Sequence, residues 1–583
     1  MTNNIKSCNT LAAVALVALC VWSGMVNAGA EFQYSIPSIR DMPSLPRPYH
    51  IRNWLRVGRE FYALAFNPAA HGPFLPLIHL VYNPAGKAMA FIMPAYVSRL
   101  PDTRSSAQAL TDMGAVWGAT LLGRNMSQGS VNYVRLIERF YDPSVGDGLF
   151  GNNFASANPQ ATAWYTVFPD ITAAAISGRY PAEKRLGEMC RATARSWAEA
   201  VPHFKKPDGL YDFNYTGFNF FTMRPVYNGK WREPNMAAGI AWIEYMAWCR
   251  WHDPVFLRAA KACMTYLFGL PASENPSYEV LTPFGAITAI RMNAELATHY
   301  PVAKFLNWCF SRYGARPTWG MENARWDGQD VSGLVGAVNC APWRPWGVGG
   351  YAFFMETSTQ LWALAPVARY DQRYAVAMGK WILNAANASR LFYGKFHPAG
   401  RQSDPGWALG ESLISYEGLK YRRDNPHQPL IATGDNKSFL DPGYVGYSHQ
   451  LHATNYALYG GVYMGILGAL VEKTNIRGIL KINLRATDTA APASYPTFLF
   501  YNPHPRRRVV KLNVGYEALN LYNTITGTFI DHDVRDTVGV SVPAHSAMVL
   551  VYTPAKGRVS YRSHQTLVNG RVIDYLHGQG RGS

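Results

Sequence analysis

Hydrophobic residues between about positions 35 and 475 recur at helical spacing, in long segments rich in alanine and aromatic side chains. Loops rich in glycine, proline and asparagine separate these segments. The pattern predicts helices over Ala107–Leu122, Val131–Phe140, Thr162–Ser177, Ala182–Ala200, Met236–Cys249, Pro254–Phe268, Ala286–Ala297, Val302–Tyr313, Phe353–Ala365, Tyr374–Ala388 and Tyr456–Glu472.

Several of these helices form pairs joined by short turns that contain Pro181, Pro254 or Pro301. Long loops, over residues 208–234, 316–351 and 392–454, separate the pairs. Loops of this length in a compact domain usually carry function. The alternation predicts a mainly α fold, an α/α toroid in which inner helices ring a cavity and long loops build a cleft at one end. A helical solenoid is the alternative, but no fixed repeat period supports it.

The pattern changes near residue 480, where short runs of β-branched, aliphatic and aromatic residues alternate with turn clusters. These runs predict a small antiparallel β-sandwich domain over residues 479–555, packed on a toroid domain that covers residues 29–478. Residues 556–583 contain much glycine, arginine and serine and are predicted to form a flexible tail.

The first 28 residues have the pattern of a secretory signal peptide. Lys6 provides a positive charge, an apolar run follows over Leu11–Val21, and Val26-Asn27-Ala28 offers small residues before a cleavage point. The apolar run is shorter than the roughly 20 residues that a bilayer-spanning helix needs. We therefore expect a secreted or periplasmic protein, cleaved near Ala28, with no stable membrane insertion.

Composition narrows the class of protein. Of the 583 residues, 48% are hydrophobic, 14% aromatic and 16% charged, which excludes a disordered chain. Seven cysteines are too few for a disulfide-stapled scaffold of this length. The formal charge of +17 falls by one when Lys6 leaves with the signal peptide. A basic surface of this kind attracts acidic polymers.

The most distinctive motifs lie between about residues 430 and 505. They are Ala432-Thr-Gly-Asp435, Thr454-Asn-Tyr-Ala-Leu-Tyr-Gly460, Gly465-Ile-Leu-Gly468, Val471-Glu-Lys-Thr474 and Tyr495-Pro-Thr-Phe-Leu-Phe-Tyr-Asn-Pro503. Together with the order of a helical region and then a β domain, they resemble bacterial toroid proteins of polysaccharide lyase family 38, the alginate and glucuronan lyases. The architecture also resembles the six-hairpin glycosidases. The resemblance implies cleavage of an acidic, uronic-acid polysaccharide by β-elimination.

β-Elimination on a uronate needs a group that neutralises the C6 carboxylate, a base for the C5 proton and an acid for the O4 leaving group. We expect these groups where loops enter helices, at the rim of the toroid cavity. Glu233 and Asn235 stand just before a predicted helix. Tyr351 follows a glycine cluster at another helix entrance and is predicted to act as base or acid. The structural alternatives are a helix cap for Asn235 and a core position for Tyr351.

Two further residues complete the predicted catalytic set. Arg291 lies in an apolar helix, where a buried guanidinium needs an anionic partner. We expect its positive charge to stabilise the Tyr351 phenolate or the substrate carboxylate. A structural ion pair with Glu233 or Glu295 is the alternative. His299 stands at the end of the same helix, and its alternative role is a helix C-terminal cap.

The cleft loops also contain candidate substrate-binding residues. Aromatic side chains stack on pyranose rings, and arginine binds carboxylates through two parallel hydrogen bonds. The candidates are Trp231, Tyr278, Trp319, Glu322, Trp343 and Arg344.

A glycoside hydrolase is the main competing function, and it requires two carboxyl groups. The run Gly320–Asp330 supplies Glu322, Asp327 and Asp330, with Glu356 or Glu233 as a partner from elsewhere. A solvated acidic loop is the structural alternative for this run. A non-catalytic glycan-binding protein on the same fold is the second competing function.

Other chemistries have weaker support in the sequence. The chain contains none of the nucleophile-elbow, zinc-protease, P-loop or dinucleotide-binding motifs. His449 and His452 lack a convincing third metal ligand, and the arginines form no basic helix. We therefore predict no metal, no cofactor and no nucleic-acid partner.

Overall fold

The computed structural model describes residues 32–98, 107–154, 162–229, 231–315, 319–337, 350–402, 404–421, 429–432 and 456–577. The predicted signal peptide lies outside these residues. The helices are α1 Pro37–Arg40, α2 Trp54–Ala65, α3 Ala109–Leu121, α4 Tyr133–Leu136, α5 Trp164–Arg179, α6 Lys184–Ala200, α7 Met236–Trp251, α8 Pro254–Gly269, α9 Thr282–Leu296, α10 Val302–Cys309, α11 Phe354–Leu364, α12 Val367–Tyr370, α13 Ala375–Ala388, α14 Ala408–Leu413, α15 Leu458–Gly461 and α16 Met464–Leu470.

Strands complete the secondary structure of the described residues, and most of them are five residues long or shorter. They are β1 His79–Tyr82, β2 Ala88–Ile92, β3 Tyr96–Val97, β4 Tyr141–Asp142, β5 Leu149–Phe150, β6 Gly217–Asn219, β7 Arg224–Val226, β8 Trp319–Met321, β9 Arg325–Trp326, β10 Gln329–Asp330, β11 Val335–Ala337, β12 Gly350–Phe353, β13 Gly418–Tyr421, β14 Pro429–Ala432, β15 Tyr456–Ala457, β16 Val471–Lys473, β17 Leu480–Asn483, β18 Thr497–Tyr501, β19 Arg508–Asn523, β20 Thr528–Val542, β21 Ala547–Pro554, β22 Val559–Arg562, β23 Gln565–Val568 and β24 Arg571–Asp574.

Six helical segments close into a ring. In order around the ring, α3 packs on α5, α5 on α7, α7 on α9, α9 on α11, α11 on α15 and α16, and α16 again on α3. Helices α2, α6, α8, α10 and α13 pack against the outside of this ring. Because an outer helix brings the chain back between inner ones, the inner helices run in the same direction. The predicted α/α toroid is confirmed.

The two ends of the ring differ, since one gathers helix N-termini and the other gathers C-termini. At the first end, which we call the mouth, the Tyr463 hydroxyl before α16 donates to the Leu110 carbonyl in α3 at 2.7 Å. At the second end, the base, Arg250 of α7 donates to the Ser177 hydroxyl of α5 at 2.8 Å. Each end thus brings together residues that are far apart in sequence.

Aromatic rings from different inner helices meet on the axis of the ring. Trp362 of α11 lies 5.1 Å from Trp117 of α3, 6.0 Å from Phe168 of α5 and 5.3 Å from Phe284 of α9, measured between ring centroids. Trp362 and Phe284 are almost fully buried. We call this group the aromatic plug. It joins helices that are not neighbours in the ring, and it separates the mouth from the base.

Glycines allow the ring to close between its first and last helices. A Cβ atom on Gly465 of α16 would lie 2.2 Å from the carbonyl oxygen of Gly118 in α3. The two backbones therefore touch without an intervening side chain, and only glycine fits there.

The C-terminal sheet has six antiparallel strands in the order β16-β17-β18-β21-β19-β20. Alternate residues face opposite sides: Leu499 and Tyr501 pack on the core of the toroid, whereas Phe500 joins a second core beneath β19 and β20. The predicted C-terminal antiparallel domain is confirmed. The tail prediction for residues 556–583 is wrong over much of its length, because β22, β23 and β24 form a three-stranded sheet whose Val568 and Ile573 are buried.

One predicted helix is wrong, and one helix of the structure has no predicted counterpart. The predicted helix over Tyr456–Glu472 is divided into β15, α15, α16 and β16, because glycines at four positions of this segment weaken a continuous helix. Helix α2 was not predicted, although Trp54, Val57, Phe61 and Ala65 form one buried face at helical spacing. Among the described residues, no helix has the length and apolar character needed to cross a membrane.

A buried ionic cluster joins the base of the toroid to the loop between β17 and β18 of the C-terminal sheet. Arg291 of α9 lies 3.3 Å from Glu295 and 3.9 Å from Asp488, and it donates to the Thr489 carbonyl at 2.8 Å. Asp488 also pairs with Arg369. Since Arg291 and Asp488 are both almost fully buried, each charge depends on its partners.

We predict that Gly465→Ala lowers the free energy of unfolding by roughly 1–3 kcal/mol, because the new methyl group meets backbone atoms that must move. Chemical denaturation of the variant and the wild type measures this difference. Gly269→Ala is the matched control, since no atom lies within 4 Å of its added Cβ. Equal stability of Gly465→Ala and the wild type would show that the two backbones are not in contact.

We predict that Arg291→Met lowers the free energy of unfolding by about 3–5 kcal/mol, because it removes the cation that pairs with Glu295 and one of the two cations that pair with the buried Asp488. Thermal and urea unfolding provide the measurement. Arg258→Met, on the exposed side of α8, is the control and should change stability by less than about 0.5 kcal/mol. Similar losses in both variants would contradict a role of the ionic cluster in holding the base together.

Candidate active site

The mouth of the toroid is lined by residues that lie at or just before the N-termini of inner helices. Tyr459 of α15 is partly exposed there, and its ring stacks on that of Tyr96 in β3 with centroids 6.3 Å apart. Strand β3 pairs with β15, so the segment before α15 holds Tyr96 in place. Tyr165, in the first turn of α5, is 39% exposed and contributes a second accessible phenol.

The charges at the mouth converge on Tyr459. Burial raises the pKa of Tyr459 well above its ordinary value of 10.0, and the nearby Tyr165, Tyr96, Glu279 and Glu417 raise that pKa further. Each of these contributions raises the pKa of the phenol. Tyr459 is therefore a neutral phenol at physiological pH, which suits a hydrogen-bond donor and not a base.

Glu417 is held at the N-terminus of α11. Its backbone carbonyl accepts a hydrogen bond from Phe354 at 2.9 Å, and its side chain is almost fully buried. A Cβ atom on Gly460 would lie 2.7 Å from Oε2 of Glu417. The absence of a side chain at Gly460 therefore allows this carboxyl group to approach α15, next to Tyr459.

Glu279 contributes negative charge near the same phenol from a neighbouring part of the ring. It is half-buried and lies just before α9, which packs on α11. The preceding residue, Tyr278, is buried, and its ring centroid lies 6.5 Å from that of Trp231. The mouth thus combines two carboxyl groups with a set of partly exposed aromatic rings.

Glu233 and Asn235 also lie at the mouth, just before α7. Both are almost fully buried, and Oε2 of Glu233 accepts a hydrogen bond from the backbone N–H of Trp164 at 3.0 Å. Glu233 therefore connects the start of α7 to the start of α5. Asn235 occupies the N-cap position of α7, as the structural alternative predicted, although its side chain makes no capping hydrogen bond to the helix.

The structure does not bring the predicted catalytic set together. Arg291 and His299 lie at the base, at the opposite end of α9 from Glu279. Arg291 contacts Met246, near the C-terminal end of α7, whereas Glu233 precedes its N-terminus. The prediction had placed Arg291 early in its helix, but α9 begins at Thr282, four residues before the predicted start. An interaction of Arg291 with substrate at the mouth is therefore excluded by its burial in the ionic cluster.

The remaining predicted residues are distributed as follows. Trp231 and Tyr278 lie in contact at the mouth. The backbone of Tyr351 belongs to β12, directly before α11, and that of Trp319 belongs to β8. Trp343 and Arg344 lie outside the described residues, as do His449 and His452.

The acids proposed for hydrolysis from the Gly320–Asp330 run do not gather at the mouth as a group. Glu322 is buried, with Oε2 3.7 Å from the Arg312 guanidinium. Asp327 lies 3.8 Å from Arg401, and Asp330 lies 3.5 Å from Arg325. The last two acids thus form ion pairs in a surface turn.

Three mouth residues were not singled out from the sequence: Glu279, Glu417 and Tyr459. Both glutamates follow a tyrosine, at Tyr278 and Tyr416, and stand at the end of a loop. That local pattern is a weak signal, since it gives no indication that the two glutamates meet. Among the described residues, no group of three or more histidine, cysteine or acidic side chains could hold a metal ion.

Comparisons with known proteins give distant likenesses only. No family model matches the chain, and no curated protein matches it. Among solved structures, a family 76 glycoside hydrolase from a bovine Bacteroides thetaiotaomicron strain is 9% identical, with a TM-score of 0.39 over 72% of this chain and 77% of its own. A GH127 β-arabinofuranosidase is 9% identical, with a TM-score of 0.37 over 94% of this chain and 85% of its own. At this distance no residue role is transferable from either protein.

Proposed function

We propose that the chain is an exported enzyme that cleaves glycosidic bonds by hydrolysis, with Glu279 and Glu417 as its two catalytic carboxyl groups. The observation that carries this proposal is that the two carboxyl groups lie at the N-terminal ends of adjacent inner helices, Glu279 just before α9 and Glu417 beside the start of α11. Both also raise the pKa of the Tyr459 phenol. Glycoside hydrolysis canonically uses two carboxyl groups that flank the scissile bond. Acid groups from separate helix entrances are suited to such flanking positions.

The aromatic residues of the mouth support a sugar as the substrate. Tyr96, Tyr165, Trp231 and Tyr459 are all partly exposed. Aromatic faces bind the apolar faces of pyranose rings, and their hydroxyl or N–H groups hydrogen-bond to sugar hydroxyls. A neutral Tyr459 would donate a hydrogen bond to the substrate or to one of the two carboxylates as charge develops.

Hydrolysis fits the described residues better than β-elimination does. Elimination by a tyrosine base needs a cation that lowers the phenol pKa, but the pKa of Tyr459 is shifted upward. Arg291, the predicted cation, is used in the ionic cluster at the base. The lyase hypothesis therefore depends on Tyr351 and Arg344, and it remains the competing outcome of the experiment below.

We expect incubation with a panel of neutral glycans and uronans to release reducing ends without near-ultraviolet absorbance. Hydrolysis leaves saturated products, whereas β-elimination creates an absorbing double bond at each cleavage. Both signals are followed on the same samples, and the anomeric form of the first product is followed by NMR. Reducing ends accompanied by equivalent absorbance would establish a lyase, and retention of a glycan without any turnover would establish a binding protein.

We predict that Glu279→Gln and Glu417→Gln each lower kcat by about 10²–10⁴-fold, because general acid–base catalysis contributes that much. Glu274→Gln is the matched control, since Glu274 lies five residues before Glu279 and is exposed. Circular dichroism and thermal unfolding confirm that the variants are folded. Unchanged kcat in either glutamine variant would remove that residue from the catalytic pair.

A further inference from the structure

A second cavity lies at the base of the toroid, at the other end from the mouth. It has a volume of about 550 Å³ and lies between the ends of α5, α7 and α9, the segment over residues 490–492, and the sheet formed by β22, β23 and β24. Binding sites for small ligands commonly have volumes of about 300–1,000 Å³ and lie between domains. The cavity is therefore large enough for one or two sugar rings.

One wall of the cavity is an aromatic surface. Trp248 of α7 is half-buried, and its ring stacks on that of Tyr245 with centroids 5.6 Å apart and an angle of 23° between the planes. The stacked Tyr245 and the His252 ring, which lies 6.0 Å from the indole at 86°, fix the orientation of Trp248 at the cavity wall. Small apolar residues, Ala490, Ala491 and Pro492, line another part of the cavity. These walls suit the apolar face of a pyranose ring.

The charges around the cavity favour an anion. Its acid, Glu295, is already paired with Arg291 at 3.3 Å and accepts a hydrogen bond from the Tyr245 hydroxyl at 2.6 Å. Two further guanidinium groups, those of Arg250 and Arg562, line the cavity from opposite domains. Arg250 donates to Ser177 and Arg562 donates to Gln565, each at 2.8 Å. These bonds use only part of the five N–H donors that each guanidinium carries.

We propose that this base cavity binds a uronate, a pyranose ring with a carboxylate substituent, with Trp248 against the ring and Arg250 and Arg562 directed to the carboxylate. The site is distinct from the mouth, because α7 has 16 residues and is therefore about 24 Å long. Its occupant joins the toroid to the three-stranded sheet of β22, β23 and β24 through one arginine from each. The proposal does not depend on the catalytic function assigned to the mouth.

Ligand-observed NMR of the full mature chain with methyl glucuronoside tests this proposal. Saturation transfer to the sugar protons and the dissociation constant are measured by titration, with methyl glucoside as the neutral probe. We expect methyl glucuronoside to bind and methyl glucoside to bind at least tenfold more weakly, because only the first offers a carboxylate. Equal affinity for the two sugars, or no binding of the uronate at millimolar concentration, would overturn the proposal.

Variants assign the binding to the base cavity. Arg562→Gln should weaken uronate binding about tenfold, whereas Arg558→Gln, an exposed arginine on the same small sheet, should leave it unchanged. Trp248→Leu should reduce saturation transfer to the ring protons. The double variant Glu279→Gln/Glu417→Gln should retain the binding. Loss of binding in that double variant would place the uronate at the mouth, and full binding in Arg562→Gln would show that Arg562 does not bind it. Either outcome overturns the proposal, whatever the outcome of the hydrolysis assays.

Discussion

The contact between aromatic rings on the axis of the toroid is the interaction on which the rest of the structure depends. Trp362 touches rings from helices on other sides of the ring, so it ties together segments that do not pack directly on each other. A ring of helices without such a centre would enclose a void, and voids in protein interiors are costly. The plug removes the void and leaves two separate recesses, one above and one below it.

The shared direction of the inner helices gives these recesses opposite chemical character. Helix N-termini carry partial positive charge and favour anions, and C-termini carry partial negative charge and favour cations. The acids Glu233, Glu279 and Glu417 lie at the mouth, where helices begin. Arg250 and Arg291 lie at the base, where helices end. The positions of these five side chains thus agree with the direction in which the helices run, whereas Glu295 at the base is paired with Arg291.

The sequence was sufficient for the architecture because the relevant signals are local. Helices α5, α6, α7, α8 and α13 coincide closely with their predicted ranges, since apolar periodicity and flanking prolines mark them directly. Where the predicted and observed elements differ, tertiary contacts determine the observed secondary structure. Residues 559–574 form strands because they pack Val568 and Ile573 on the sheet domain, and nothing in their glycine-rich surroundings indicates that partner.

The candidate site was predicted less well for the same reason. Glu233 and Asn235 were placed correctly at the mouth, since a helix start can be identified from neighbouring residues. Arg291 was misplaced because a shift of four residues in a helix start moves a side chain by about one turn, and because its partner Asp488 is far away in sequence. The approach of Glu417 to Tyr459 depends on Gly460, a contact that no local pattern predicts.

The closure of the ring between Leu110 and Tyr463 also bears on how the protein folds, since these residues are separated by 353 positions. A chain made from its N-terminus exposes the apolar faces of its early helices until the last inner helix has emerged. The toroid is thus completed late, as contacts of high sequence separation generally are.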